Sequence, residues 1–136
     1  LSIRRQRQMC IRDRYLTTTK GDYKKLGTIS VGEPDEYDND RGELNPVVFN
    51  LYGQFGYNKR KTGGRDLDYN ALHDALVEMS DELHRYDKAD SPQHIVGLPM
   101  LGAGLANGNW KIIACIIEET LIASGHKVIV YKLKGD

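Results

Sequence analysis

The stretch His94 to Leu133 fixes the fold class before anything else does. His94-Ile95-Val96-Gly97-Leu98-Pro99 is a short, mostly apolar strand, and residues 100–109 (MLGAGLANGN) form a glycine-rich loop. Asn109 is a good N-cap for a helix starting at Trp110, with Trp110, Ile113, Ile117 and Leu121 on one face. Ile112 and Ile116 make that helix apolar on a second side, and Gly125 marks its stop. Lys127 to Leu133 is the last strand, and its run Val128-Ile129-Val130 predicts burial on both faces. Strand, helix and strand make a βαβ unit, whose strands should be parallel and whose crossover right-handed. The class is therefore α/β.

Upstream, Leu26 to Val31 reads as a strand and Glu33 to Pro46 as a polar turn or hairpin connection. Val47 to Tyr52 is a second strand, ended by Gly53. Phe55 to Arg65 is polar, basic and glycine-bearing, so a surface loop is expected. Asp66 or Asp68 caps a helix whose core stripe is Leu72, Leu76, Met79 and Leu83, and Tyr86 to Gln93 is a polar connection.

Arg4 to Arg14 (RRQRQMCIRDR) coincides residue for residue with one reading frame of a transposase-type sequencing adapter. Residues 1–14 are accordingly expected to be a non-native artefact, with genuine sequence over 15–136 and the natural upstream segment replaced. The first fourteen residues hold five arginines and one acid, so the remainder carries 14 basic and 18 acidic side chains and is mildly acidic. No membrane or specific nucleic-acid partner is indicated once that cluster is discounted. No apolar run reaches the roughly 20 residues of a membrane span. Cys10 falls in the artefact, which leaves Cys115 alone, read as a small core residue. A reduced, soluble, cytoplasmic protein is expected, with no metal site, since His73, His84, His94 and His126 lack ligand spacing and read as structural or solvent-facing.

The loop after residue 99 carries the chemistry. Open α/β sheets bind ligands beyond the carboxyl ends of their strands. Glycines at 102, 104 and 108 bring backbone amides toward a ligand, and the following helix adds its positive pole. No basic side chain lies in 97–110, which fits a backbone phosphate cradle. It is not a P-loop, for no lysine follows, and its third glycine is one position too far for the dinucleotide fingerprint. The alternative is a tight turn using glycine only for packing.

Residues 97–106 (GLPMLGAGLA), Trp110 and residues 128–133 (VIVYKL) closely resemble the C-terminal half of macro domains, and residues 48–54 (VFNLYGQ) resemble a strand and loop of their bacterial and phage branch. That branch is similar to terminal ADP-ribose glycohydrolases and ADP-ribose-1″-phosphate phosphatases. The resemblance covers about residues 20–133 and implies a three-layer α/β/α mixed sheet, incomplete at its N-terminus, as the C-terminal two-thirds of a macro domain. It implies that Met100, Leu101, Gly102, Ala103, Gly104 and Leu105 wrap the diphosphate and distal ribose of ADP-ribose. Tyr52, Gly53 and Gln54 should approach the ribose, and Leu133 should lie near the nucleotide. Gly102 and Gly104 are the leading candidates. Leu105 could instead be core, Tyr52 a strand aromatic and Leu133 a sheet-closing residue.

The pattern also breaks. Hydrolases of that branch use a lysine just after the second block and an aspartate just after the Gly-x-Gly-Leu segment. This chain has Gln54 and Ala106 there, and Lys59 and Lys61 read as solvated lysines. No catalytic residue is assigned, and no cofactor is implied. The expected partner is ADP-ribose or a derivative, free or on an ADP-ribosylated macromolecule, with binding by this chain weak or absent and an exposed strand edge or apolar face. An enzyme hydrolysing ADP-ribose-1″-phosphate or ADP-ribosyl linkages remains open. So do a nucleotide-cofactor domain of a transferase or oxidoreductase and a non-catalytic structural domain.

Overall fold

The computed structural model describes residues 21–32, 47–86 and 95–132, with Thr19 and Lys134. The expected artefact 1–14, the connection 33–46, most of 86–93, His94 and Leu133 lie outside the described residues. What is described is a mixed α/β arrangement of two small sheets and two helices.

Strands β1 (Ile29–Gly32) and β2 (Val48–Leu51) pair antiparallel, with Ile29 opposite Leu51 and Val31 opposite Phe49. The first strand starts later than expected. Asp22 caps a 3₁₀ turn over Tyr23–Lys25, and Thr28 N bonds back to Lys25 O at 2.9 Å, keeping Leu26 to Thr28 in a turn.

Helix α1 (Tyr69–Tyr86) buries the expected stripe: Leu72, Leu76, Met79 and Leu83. Of the two candidate caps, Asp68 is the one used, its Oδ1 accepting from Ala71 N at 3.0 Å. Asp66 is buried elsewhere.

The βαβ unit forms, with its two strands parallel as expected. Strand β3 (Ile95–Pro99) runs parallel to β4 (Lys127–Tyr131), Val96 beside Val128 and Leu98 beside Val130. Between them lies α2 (Trp110–Ile117), capped by Asn109 Oδ1 on Lys111 N at 2.9 Å. The helix continues through a π turn over Glu118–Ile122. There the Thr120 hydroxyl donates to Ile116 O at 2.7 Å, competing for a carbonyl that a regular helix gives to a backbone amide. Ile113, Ile117 and Leu121 are buried and Trp110 packs against them.

One core joins α1, α2, Val96 and Leu98 with Ile29, Phe49 and Leu51. Two expectations fail at its margin. Cys115 is exposed, because it lies on the outer side of α2 away from Ile113 and Ile117. Ile129 and Val130 are also exposed, and Val128 alone of that run packs on the core. Among the described residues one face of the β3–β4 pair is covered, as the alternation of buried Val96 and Leu98 with exposed Ile95, Gly97 and Pro99 records. Ile129, beside Gly97, lies on the other face, whereas Val130, beside Leu98, is on the covered face and is exposed all the same. Ile112 is exposed too, so of the helix's second apolar side only Ile116 enters the core.

Candidate functional site

The glycine-rich loop leaves β3 at Pro99 and folds back on itself. Leu101 N donates to Pro99 O at 2.7 Å, Gly108 N to Gly102 O at 2.7 Å, and Asn107 N to Gly104 O at 3.0 Å. Asn107, at φ 57, supplies the left-handed turn that lets the loop re-enter α2. Its inner side is pinned to residues 64–69. The carbonyl of buried Ala106 accepts from Asp66 N at 3.1 Å and Leu67 N at 3.2 Å. Asn107 Nδ2 donates to Gly64 O at 3.0 Å, and Asn109 N to the Tyr69 hydroxyl at 2.8 Å.

The outer side is open. Gly104 and Leu105 are exposed, Leu105 at 78%, which removes the core reading of that leucine. Among the described residues, the amides of Gly102, Gly104, Leu105 and Ala106 donate to no backbone or side-chain acceptor. N–H groups with no partner among the described residues, ahead of a helix N-terminus, suit an anionic group. The loop from 100 to 109 has no charged side chain.

The two leading glycines differ. Gly102 has φ +73, and a Cβ on it would fall 2.7 Å from Leu67 Cδ2. Glycine there is demanded by packing, the bland alternative raised by the sequence. A Cβ on Gly104 would meet nothing within 4 Å and its φ is ordinary, so neither packing nor backbone geometry requires it. Its lack of a side chain leaves the loop surface approachable.

Leu67 also links the two sequence blocks. Gly53 lies against Leu67 and Leu72, its carbonyl accepts from Asp68 N at 2.8 Å, and Gln54 bridges to Leu67. Gly53, Gln54 and Gly102 thus meet at one leucine. Tyr52 is half-buried and its hydroxyl lies 2.9 Å from Ser30 Oγ, which also accepts from Asn50 Nδ2, so this tyrosine ties β1 to β2. Gln54 is exposed, with Nε2 on Gly56 O.

Sequence reasoning missed Leu67, Tyr69 and the role of Asp66. Leu67 sits between two aspartates, outside any periodic stripe, and no sequence signal marks it. Asp66 is 6% exposed; its Oδ2 accepts from Lys59 N at 3.1 Å, while Oδ1 accepts nothing among the described residues. It anchors a 3₁₀ turn over Lys59–Thr62, so those lysines are exposed, as expected, but on a built turn. The three described histidines behave as structural or surface groups; His94 lies outside the described residues. His126 is buried, 3.0 Å from Ser80 Oγ, with its ring against exposed His84. His73 is half-exposed beside Asp74. Among the described residues no three His, Cys, Asp or Glu side chains gather as a metal site, and no helix is long and apolar enough to cross a membrane.

No protein-family model matches the chain. It is 31% identical over 103 residues to an uncharacterized 17.5 kDa protein from the tk–vs intergenic region of Enterobacteria phage T4. The match covers 76% of this chain and 57% of the phage protein, so the chain spans little more than half that relative's length. Two solved structures from Bacteroides thetaiotaomicron are similar, one described as a protein of unknown function. They align at TM-scores of 0.64 and 0.67, with 27% and 25% identity, over 90% and 95% of this chain and 67% and 72% of theirs. The fold is thus shared with bacterial proteins longer than the matched region.

Proposed function

We propose that the outer surface of residues 100–106 binds the diphosphate of ADP-ribose or a close derivative, with Tyr52 to Gln54 on the ribose side. The observation that carries this reading is the set of amides at Gly102, Gly104, Leu105 and Ala106 that have no acceptor among the described residues. They lie at the carboxyl end of a parallel strand and immediately before a helix. Gly104 is open where a phosphate would approach, and exposed Leu105 offers an apolar contact to a sugar face. The reading carries with it a macro-type, three-layer architecture, in which the uncovered face of β3–β4 belongs under a second helical layer. It is a binding role that this chain's own residues support: Gln54 and Ala106 hold the positions where the related hydrolases have lysine and aspartate.

Saturation-transfer NMR at millimolar ligand tests it. ADP-ribose should show transfer that ADP competes and free ribose does not, and Gly104→Trp should remove it with the melting temperature unchanged. Competition by NAD but not by ADP would favour a nucleotide-cofactor domain instead. Transfer that survives Gly104→Trp, or none at all, would reject the site.

A further inference from the structure

Next to the glycine loop lies a second surface that the diphosphate reading does not use. Residues 55–65 (FGYNKRKTGGR) contain four cations and no acid, although the chain beyond residue 14 is net acidic. Lys59, Arg60 and Lys61 are exposed on their 3₁₀ turn, and among the described residues none of them forms an ion pair. The turn is held from within by Asp66 Oδ2 on Lys59 N, by Gly64 N on Lys59 O at 2.8 Å and by the Thr62 hydroxyl on the same carbonyl at 3.0 Å. A carboxylate that anchors the backbone from inside leaves the three cationic heads directed outward without a neutralising neighbour. Two to six residues ahead of them in the chain come two exposed aromatic rings, Phe55 at 57% and Tyr57 at 78%. Tyr23, also exposed, meets Phe55 edge-on at 5.1 Å between centroids and extends the aromatic strip. The strip and turn join the glycine loop through Asn107 Nδ2 on Gly64 O.

Cations alone would suit any acidic surface. Interleaved open rings narrow the partner to one that offers both negative charge and flat π faces. We propose that Phe55, Tyr57, Lys59, Arg60 and Lys61 form a binding surface for single-stranded nucleic acid. The rings stack unpaired bases and the turn takes the phosphates. A duplex, whose bases are already stacked, lacks the faces these rings need. The inference stands independently of ADP-ribose.

The test is fluorescence anisotropy with a labelled oligothymidine at low salt, on the full chain with Arg4, Arg5, Arg7, Arg12 and Arg14 changed to glutamine so that this tract contributes nothing. Three phosphate contacts predict a slope of log K against log salt near about −2. Lys59→Glu/Arg60→Glu/Lys61→Glu should flatten that slope and weaken binding about tenfold or more. Phe55→Ala/Tyr57→Ala should weaken binding by roughly tenfold while leaving the slope in place, because stacking rather than charge is lost. Both variants alter exposed side chains and should melt with the unmutated chain. The proposal is overturned if oligothymidine does not bind, if the corresponding duplex binds more tightly, or if the aromatic variant binds within twofold of the original.

Discussion

Gly102 and Gly104 stand two positions apart and do different things. The first is wedged against Leu67 in a left-handed conformation; the second faces open space. Gly102→Ala combines φ strain with overpacking and should cost about 2–4 kcal/mol in urea unfolding, whereas Gly104→Ala should stay within about 0.5 kcal/mol. Equal costs would mean that the loop is not packed as described. The sequence offered both glycines on equal terms, because what separates them is the side chain of Leu67, far off in the chain. The same limit hid Asp66. As one of two aspartates before an apolar stripe it reads as a cap, yet Asp68 takes that role and Asp66 holds the Lys59 amide. Asp66→Ala should therefore speed hydrogen exchange at the Lys59 amide at least tenfold while the α1 amides keep their protection. Unchanged exchange at Lys59 would count against the anchor.

At the scale of elements, legibility followed periodicity. The stripe of α1 and the inner face of α2 are repeats that only a helix brings to one side, and both are buried. The Asn109 cap was equally plain, and Asn109→Ala should destabilise by about 1 kcal/mol in the same unfolding assay. The π turn over Glu118–Ile122 was not legible: it depends on a hydroxyl-to-carbonyl bond from Thr120 that competes locally with the helix. Cys115 was misread because the surrounding isoleucines make the whole helix look apolar, while its own angular position faces outward. It should be alkylated by iodoacetamide in native buffer as readily as a small thiol, seen by peptide mapping. Protection until unfolding would place α2 in a different rotation.

For the molecule as a whole, the consequential feature is the face of β3–β4 that the described residues leave open. The run Val128 to Val130 has the composition of a doubly buried strand, yet Ile129 is exposed on one face together with Ile95 and Tyr131. Among the described residues, β3 and β4 pair only with each other. Exposed apolar strands with open edges associate. Sedimentation velocity should show concentration-dependent self-association that Ile129→Lys/Tyr131→Lys reduces; a monomer at every concentration would contradict this. The α/β class and the parallel βαβ unit were readable because strand, glycine loop, helix and strand follow in unbroken order. How the two strand pairs relate was not, since pairing between distant segments leaves no local pattern.

A diphosphate received by the glycine-loop amides would give them the acceptors they lack among the described residues. Amide ¹H–¹⁵N spectra recorded during titration with ADP-ribose test it most directly. The resonances of Gly102, Gly104, Leu105 and Ala106 should move most, with downfield proton shifts as their N–H groups gain acceptors, while those of α1 stay in place. Shifts confined to other parts of the chain, or a loop that does not respond to ADP-ribose at saturating concentration, would contradict it.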